Sequence, residues 1–300
     1  MKASLVSEVA RVFGEAGYQV VSCEGMQSSF DVLAKGEKLF LVKVLSNVES
    51  LMPKKSCELK SVAGLLGGIP LIVGERIKSA VLEDGVVYER YGVHVVGRET
   101  LERVLADEAP TTYTVRGNYC MRANSRRLAE ARRAQGLTQD DLAQFLGVSK
   151  QSVYRYERDG RMSSLIAERI SELFGGLDGL FLPNDVFTAE ASSDDIAFEG
   201  YVSGLKRKAF ECFRHIGFDV SLTKAPFDIV LKDEDMVFTT VSNDWQRLER
   251  RIHVVEEISE AVGGLSVCIT ERATSVSGVV LKPEDLEGIK TRKEFIRLLS

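Results

Sequence analysis

The side chains with the greatest potential for chemistry in this sequence are basic, and they are concentrated in its middle. Between Arg116 and Arg161 there are ten Lys or Arg residues and five Asp or Glu residues, a balance of +5. The whole chain has a formal net charge of −5, so this excess is local. Lys and Arg bind the phosphates of nucleic acids and release their counterions. The segment is therefore predicted to offer a local surface for a polyanion.

The other reactive side chains lack the patterns that catalysis or metal binding requires. His94, His215 and His253 stand alone, without metal-ligand spacing. The five cysteines are scattered and none lies in a Cys-x-x-Cys pair, which argues against a disulfide framework and favours a reducing cytoplasm. No P-loop, dinucleotide glycine motif or nucleophile elbow is present. We therefore predict no catalytic residue, no metal site and no cofactor.

The composition is typical of a globular protein, with 44% hydrophobic and 28% charged residues. A length of 300 residues predicts two or three domains. No apolar run approaches the roughly 18 residues of a membrane span, and the first residues form an amphipathic pattern rather than a signal peptide. We expect a cytoplasmic protein that does not associate with membranes.

The basic segment is predicted to be helical, and its capping residues divide it into successive helices. A first helix ends near Gly136. Thr138, followed three residues later by an Asp, is predicted to cap a second helix over residues 139–146. Gly147 then allows a left-handed turn, and Ser149 caps a third helix. This spacing predicts three short helices joined by tight turns.

Helical periodicity separates an inner from an outer face of these helices. The apolar positions predicted to face inward are Leu128, Ala131, Ala134, Leu142, Ala143, Leu146 and Val153. The third helix, from Lys150 to about Glu157, leaves polar side chains on its outer face, namely Lys150, Gln151, Ser152 and Arg155. Glu157 is predicted to be structural and to pair with a nearby arginine, because a carboxylate facing phosphates would repel them.

The run LTQDDLAQFLGVSKQSVYRYE resembles the helix-turn-helix of the phage Cro/cI (XRE-like) repressor family. The resemblance covers about 50 residues and includes Gln139 at the start of the second helix, the small Ala143, Gly147 in the turn and the closing Glu157. It implies an all-α, lambda-repressor-like domain over residues 120–176 that binds double-stranded DNA.

The same resemblance implies a role for each outward polar residue. Gln139 would bond a DNA phosphate together with the exposed backbone amides. Lys150 and Gln151 would reach base edges in the major groove, because Lys matches guanine and Gln matches adenine. Ser152 would bond phosphate, and Arg155 would contact a base or the backbone.

Three further arginines, Arg122, Arg126 and Arg127, cluster just before the first of these helices or at its start. They would contact phosphates or form a minor-groove arm. The alternative is a solvated basic face without a ligand.

Two segments without helical periodicity, Asp107–Tyr119 and Gly175–Gly200, are predicted to be linkers. The blocks outside them share an order of elements: helix, strand, two alternating strands joined by a polar turn, helix and strand. The turn-joined pairs are FDVLAKGEKLFLVKV and FDIVLKDEDMVFTTV. We interpret the blocks as a duplicated α/β module, which predicts domains over residues 1–110, 120–176 and 200–300.

The element order of the blocks resembles the restriction-endonuclease-like fold of archaeal Holliday junction resolvases. In those enzymes an Asp on the second strand and an (Asp/Glu)-x-Lys on the third hold Mg²⁺ and activate water. The first block offers Asp31 and Lys43, with Glu8 as an early helical acid. Leu41 occupies the position of the second carboxylate, so the motif is incomplete.

The last block departs further from the nuclease pattern. It keeps Asp228, but Thr239 and Val241 are predicted to occupy the other two positions. Both blocks are therefore expected to be degenerate nuclease-like modules, and Asp31 and Asp228 to have a structural use as turn or strand-edge residues.

A Cro/cI-type helix-turn-helix between two α/β modules over the whole chain resembles the archaeal HTH-type transcriptional regulators. That resemblance implies a sequence-specific transcription regulator acting as a homodimer on duplex DNA. The flanking modules would serve dimerisation, further DNA contact or the sensing of a small-molecule effector. Two alternatives remain: a DNA-targeted, Mg²⁺-dependent nuclease or resolvase using the N-terminal module, and a scaffold whose helix-turn-helix contacts protein.

Overall fold

The computed structural model describes residues 2–176, 179–184, 204–272 and 278–299. These residues form a mixed α/β protein with eleven α-helices and fifteen β-strands. The chain divides into a flanking unit, residues 1–72 together with 190–300, and a central unit, residues 73–189. Within the described ranges, no helix combines the length and the apolar character needed to cross a membrane.

The N-terminal half of the flanking unit packs one helix on a small sheet. Its elements are α1 (Lys2–Glu15), β1 (Gln19–Ser22), β2 (Val32–Lys35), β3 (Leu39–Asn47), a 3₁₀ turn (Val48–Ser50), α2 (Pro53–Leu66) and the start of β4 (Ile69–Ile77). The strand order is β1-β2-β3-β4, with β1, β2 and β3 antiparallel. Leu5, Val9 and Phe13 recur every four residues on α1 and are buried, and the Phe13 ring lies 5.5 Å from the Phe40 ring of β3.

The C-terminal half of the flanking unit has the same order of elements, followed by a strand and two short helices. They are α8 (Leu205–Ile216), β11 (Asp219–Leu222), β12 (Ile229–Lys232), β13 (Met236–Val241), α9 (Trp245–Val262), β14 (Leu265–Ile269), β15 (Val280–Leu281), α10 (Pro283–Gly288) and α11 (Arg292–Leu299). The strands are ordered β11-β12-β13-β14-β15, and β13 and β14 are parallel across α9. Phe213, Phe218 and Phe295 form the aromatic part of the core.

The two halves of the flanking unit contact each other through loops and helix surfaces. The Ser29 amide donates to the Lys224 carbonyl at 2.7 Å, and Lys224 Nζ lies 2.8 Å from Glu58 Oε1. On α9, Arg250 donates to the Glu24 carbonyl at 2.7 Å. Glu58 is buried, and burial alone would raise its pKa, yet hydrogen bonds from Lys224 and Lys55 hold that pKa below its ordinary value. The carboxylate therefore stays ionised within this contact.

The central unit combines strands with five helices, and because strand residues also occur within residues 120–176, the expectation of an all-α domain there is wrong. Its elements are the end of β4, β5 (Ala80–Val81), β6 (Val86–Arg90), β7 (Val93–Val96), α3 (Arg98–Leu105), β8 (Thr112–Val115), β9 (Asn118–Arg122), α4 (Ser125–Ala134), α5 (Gln139–Leu146), α6 (Lys150–Asp159), β10 (Arg161–Ser163) and α7 (Ser164–Phe174). The strands are ordered β7-β6-β8-β9-β10, and β5 pairs with β4.

The first predicted linker, Asp107–Tyr119, is wrong as a linker because most of it is a β-hairpin. Val115 lies opposite Asn118, so the loop is the two residues Arg116 and Gly117, with φ of 52° and 83°. Such a turn needs positive φ at both positions and is usually marked by Asn-Gly or Asp-Gly. Because the first turn residue is an Arg and not Asn or Asp, the sequence does not indicate the turn. The Thr-Tyr-Thr-Val run before it does favour a strand.

The second predicted linker, Gly175–Gly200, lies mostly outside the described residues. Where it is described, it packs on the central unit: Leu180 is buried, and its carbonyl accepts from the Asn124 amide at 2.7 Å. Phe181 forms an isolated bridge with Ala123. This part of the segment therefore belongs to the folded helical region.

Candidate nucleic-acid interface

The turn between α5 and α6 is defined by two caps and one glycine. Thr138 accepts from the Asp141 amide while the Asp141 carboxylate accepts from the Thr138 amide, which is the predicted capping box. Gly147 ends α5 with φ of 67°, and Ser149 caps α6 by accepting from the Ser152 amide. The bounds of α5 match the prediction, and α6 extends two residues further than predicted.

The apolar faces of these helices form one core. Leu128, Leu142, Leu146 and Val153 are fully buried and pack with residues of α7. Ala131 is half-buried, whereas Ala134 is exposed, so its predicted inward position is wrong. Ala134 is the last residue of α4, where the helix has already passed the edge of this core.

A buried ion pair joins α4 to α6. Arg132 Nε and one terminal nitrogen donate to the two Glu157 carboxylate oxygens at 2.6 and 3.1 Å, with only 9% and 8% of the side chains exposed. Burial alone would raise the pKa of Glu157, but hydrogen bonds from Arg132 and Gln139 lower it below its ordinary value. This geometry agrees with the structural role predicted for Glu157.

The outer face of α6 is polar and open to solvent. Gln151, Tyr154, Arg155 and Arg158 follow the spacing i, i+3, i+4 and i+7 and are exposed, with Tyr154 53% exposed. Gln151 and Arg155 are predicted from the sequence to contact DNA. Tyr154 and Arg158 are not among the predicted residues, although their helical spacing places them on the same face. The helix buries Val153 on its other side, which fixes this stripe outward.

The other polar residues at the start of α6 are engaged locally. Lys150 Nζ lies 2.6 Å from Asp140 Oδ2 of α5, and both side chains are largely exposed. Ser152 Oγ lies 3.0 Å from Ser149 Oγ and accepts from Arg155 at 3.2 Å. These are weak surface contacts that a phosphate or a base edge can replace.

Gln139 begins α5 and is half-buried, and its side-chain amide donates to Glu157 at 2.7 Å. An amide nitrogen carries two N–H groups, so this bond leaves one for another acceptor. Arg126 and Arg127 are exposed in the first turn of α4, where Arg126 is 3.0 Å from Glu130. Their roles toward DNA stay predictions.

In the N-terminal half of the flanking unit, Asp31 is brought to Lys43. Lys43 Nζ lies 3.2 Å from the Asp31 carboxylate and 3.0 Å from the Ser28 carbonyl, and the Val44 amide donates to Asp31 at 2.8 Å. Leu41 is fully buried in the core. Glu8 accepts from Ser4 on α1.

In the C-terminal half, Asp228 has a matching backbone setting but different cations. The Val241 amide donates to its carboxylate at 2.8 Å, as Val44 does to Asp31. Lys206 of α8 and Arg251 of α9 lie 2.6 and 2.7 Å from the carboxylate. Two helices thus supply the positive charge that a strand supplies in the first half.

The strand register corrects the predicted counterparts of the nuclease motif. Val32 pairs with Val42, and Ile229 pairs with Thr239, so equivalent positions differ by 197. Leu41 and Lys43 therefore correspond to Phe238 and Thr240, and the predicted Thr239 and Val241 are one residue too far along the chain. Neither residue at the corrected positions can ligate as a carboxylate.

The nuclease-like sites lack the full carboxylate set of their motif. Mg²⁺ is bound in enzymes through one or two carboxylates together with waters and substrate phosphates, and Asp31 is the one carboxylate of its motif here, bonded to Lys43 and a backbone amide. Asp228 is enclosed by two cations. Throughout the described ranges, no group of three or more His, Cys, Asp or Glu side chains is placed to hold a metal.

Two family descriptions match different parts of the chain. A PD-(D/E)XK superfamily domain matches residues 2–111, and a helix-turn-helix matches residues 128–180. The first agrees with the predicted nuclease-like fold of the N-terminal module, and the second agrees with the predicted Cro/cI-type helix-turn-helix.

Similar proteins of matching length occur in several archaea. A protein of Archaeoglobus fulgidus is 32% identical, covering 100% of this chain and 98% of its own length. Proteins of Thermococcus kodakarensis and Pyrococcus furiosus are 33% and 32% identical, covering 98% and 95% of this chain and 94% and 93% of their own. All three bear the name "Putative HTH-type transcriptional regulatory protein". No solved structure matches the chain.

Proposed function

This chain belongs to the family of archaeal HTH-type transcriptional regulatory proteins, and we propose that it is a DNA-binding regulator that reads the major groove with α6. The observation that carries this function is the capped α5–Gly147–α6 turn, which holds an exposed polar stripe on a helix anchored by Val153 and Glu157. A rigid helix with exposed Gln and Arg at helical spacing suits direct base readout. The protein acts in the cytoplasm.

Lys150 and Gln151 contact base edges, and Arg155 contacts a base or the backbone. Ser152, Gln139, Arg126 and Arg127 hold the phosphates. These roles are supported by the exposure of the side chains or by the weakness of their present contacts. Lys150 leaves its exposed ion pair with Asp140 to bind DNA, and Gln139 donates its second N–H to a phosphate.

Selection of bound sequences from a random duplex pool tests this function. Wild type is expected to enrich one motif at moderate salt, and Gln151→Ala to lose preference at one position by about 1–3 kcal/mol. Gln144→Ala, which changes an exposed Gln on α5, is the matched control and should keep the motif. Binding without any enriched motif would overturn sequence-specific readout.

A homodimer would place two copies of α6 in successive major grooves, with half-sites about one helical turn apart. A single helix-turn-helix domain binds DNA weakly, which supports a dimer. The two halves of the flanking unit already contact each other within one chain, so the dimer contact has to use other surfaces. Sedimentation of the protein on a selected site measures the stoichiometry, and one chain on a site with two half-sites would refute the dimer.

The flanking halves are two copies of one α/β module, which with the helix-turn-helix gives the three-domain organisation. The support is the common element order and the constant offset of 197 between Asp31 and Asp228 and their strand partners. An experimental structure in which the two halves superpose poorly around these aspartates would contradict duplication.

A small-molecule effector would have a place in the flanking unit. An open cleft of about 310 Å³ lies between its halves, and its lining includes the apolar Leu66, Met236 and Val262 and the charged Lys35 and Glu37. Its size reaches the lower end of ligand pockets. A thermal-shift screen of small metabolites would test it, with Met236→Trp filling the cavity as the control; shifts that persist in this variant would place the ligand elsewhere.

A Mg²⁺-dependent nuclease is the second candidate, because the PD-(D/E)XK match covers Asp31 and Lys43 at 3.2 Å from each other. The missing carboxylate at Leu41 makes the regulator the better-supported function, and we expect no enzymatic activity. Incubation with duplex and branched DNA in Mg²⁺ decides between them. Cleavage abolished by both Asp31→Ala and Lys43→Ala would establish the nuclease.

A further inference from the structure

We propose that the outer face of the sheet β8–β9–β10 is a second DNA-contact surface, on which Arg122 and Arg161 bind phosphates beside the groove entered by α6. This inference rests on the proposed function and names a further surface for the same partner. The helix-turn-helix would read bases, and this sheet would hold the flanking backbone.

The sheet follows α6, the helix proposed to read the major groove, without a linker. α6 ends at Asp159, Gly160 turns the chain with φ of 73°, and β10 starts at Arg161. The Ala123 amide donates to the Gly160 carbonyl at 2.9 Å, which fastens the start of β10 beside β9. Arg161 is therefore positioned by the same helix that positions the base-reading side chains.

Strand alternation turns the two arginines away from the protein core. In the antiparallel pair β9–β10, Met162 lies opposite Met121, and Met162 is buried in the helical core with Met121 packed against it. Successive side chains point to opposite faces of a sheet. Arg122 and Arg161, which lie directly opposite each other, therefore share the outer face, and both are exposed.

A like-charge pair directly across a sheet is destabilising. The segments 112–122 and 160–163 contain three arginines and no acidic residue. In the described part of the chain, neither Arg122 nor Arg161 forms an ion pair with a carboxylate. Two exposed arginines that face each other, and that form no direct ion pair among the described residues, are suited to an external anion.

The positive surface of α6 continues onto this sheet. The hydrogen bond from Arg158 lowers the pKa of Asp159, and the nearby charges of Arg161 and Arg155 lower it further. Arg155 on α6 and Arg161 on β10 are thus both close enough to the Asp159 carboxylate for their charges to act on it. Tyr113, whose cross-strand partner is Cys120, shares the outer face and adds an aromatic side chain to it.

The test compares wild type with the double variant Arg122→Ala/Arg161→Ala on the DNA motif selected by wild type. Each lost phosphate contact lowers the slope of log Kd against log salt by about 0.9, so a reduction of about 1.8 is expected. The enriched motif should not change, because phosphates carry no base identity. Thermal stability should be equal or higher, since a like-charge pair is removed.

Two further variants separate charge position from total charge. Arg122→Lys/Arg161→Lys keeps both charges and should retain most of the slope. Arg214→Ala/Arg297→Ala removes two exposed arginines from the flanking unit and should leave the slope unchanged. Equal weakening by this control would show that only net charge matters and would overturn the proposal.

The outcomes distinguish this inference from the function on which it rests. If wild type selects no DNA motif, the proposed function fails. If wild type selects a motif and the Arg122→Ala/Arg161→Ala variant keeps both its affinity and its salt slope, only the second surface is refuted, as it would be if the arginines bound an acidic protein.

Discussion

The Arg132 guanidinium on α4 and the Glu157 carboxylate on α6 form a buried two-point ion pair, with nitrogen–oxygen distances of 2.6 and 3.1 Å. Arg132 also donates to the Leu137 carbonyl at 2.7 Å, and Glu157 accepts from Gln139 at 2.7 Å. One ion pair thus connects the first helix, the start of the second and the end of the recognition helix. The orientation of the DNA-reading face depends on it.

We predict that Glu157→Gln destabilises the central unit by about 3 kcal/mol, because removing one partner of a buried pair leaves the other charge uncompensated. Urea unfolding measures this change. Asp159→Asn, which breaks the exposed pair with Arg158 on the same helix, is the matched control and should have a much smaller effect. Equal effects of the two substitutions would contradict the structural role of Glu157.

The same carboxylate predicts a dependence of stability on acid. The pKa of Glu157 is lower in the folded protein than in the unfolded chain, where Glu titrates near about 4.3. Its contribution is therefore complete above the unfolded pKa and is lost as pH falls through the lower, folded pKa. Wild type should lose stability more steeply than Glu157→Gln below about pH 4. Parallel profiles of unfolding free energy from pH 3 to 7 would rule this out.

Gly160→Ala is expected to destabilise the junction between α6 and β10 by about 2 kcal/mol or more. Its φ of 73° is strained for an L-residue, and an added Cβ would lie 2.2 Å from the Ala123 carbonyl oxygen. Gly175→Ala has a similar φ of 69° but meets no atom within 4 Å, so it isolates the cost of the backbone conformation. Thermal or urea unfolding compares them, and a smaller loss at Gly160 than at Gly175 would be inconsistent with this packing.

Asp140→Asn is predicted to strengthen DNA binding by up to about fivefold, because it releases Lys150 from an exposed ion pair and removes a charge that repels phosphate. Titration of labelled operator at two salt concentrations measures the change. Glu172→Gln, an exposed position on α7, changes net charge by the same amount and should have little effect. Unchanged affinity of Asp140→Asn would indicate that Lys150 does not contact DNA.

Several local features of the DNA-reading region were predictable because neighbouring residues determine them. Thr138 with Asp141, Gly147 and Ser149 specify where α5 and α6 begin and end, since caps and left-handed turns depend on a few adjacent positions. The spacing of Leu142, Leu146 and Val153 likewise placed the buried faces. The hairpin at Arg116–Gly117 was missed because its turn residues are not the usual ones.

Most contacts between distant segments could not be predicted from the sequence. Nothing in the spacing of Asp228 indicates that Lys206 and Arg251, on two helices, would enclose it. The placement of Arg161 across from Arg122 depends on a strand pairing 39 positions apart, which no periodicity reveals. The residues of the C-terminal half that correspond to the nuclease motif were predicted one position too far along the chain. The pairing of β12 with β13 identifies the correct positions.

A capped helix-turn-helix with an exposed polar stripe between two α/β segments could be predicted from the residues alone, because caps, turns and amphipathic faces follow from residues within a few positions of one another. The folded chain was needed to identify Arg132 as the partner of Glu157 and to place Arg122 beside Arg161. These contacts between charged side chains depend on how separate helices and strands pack to bury their apolar faces, and that packing is a property of the whole fold.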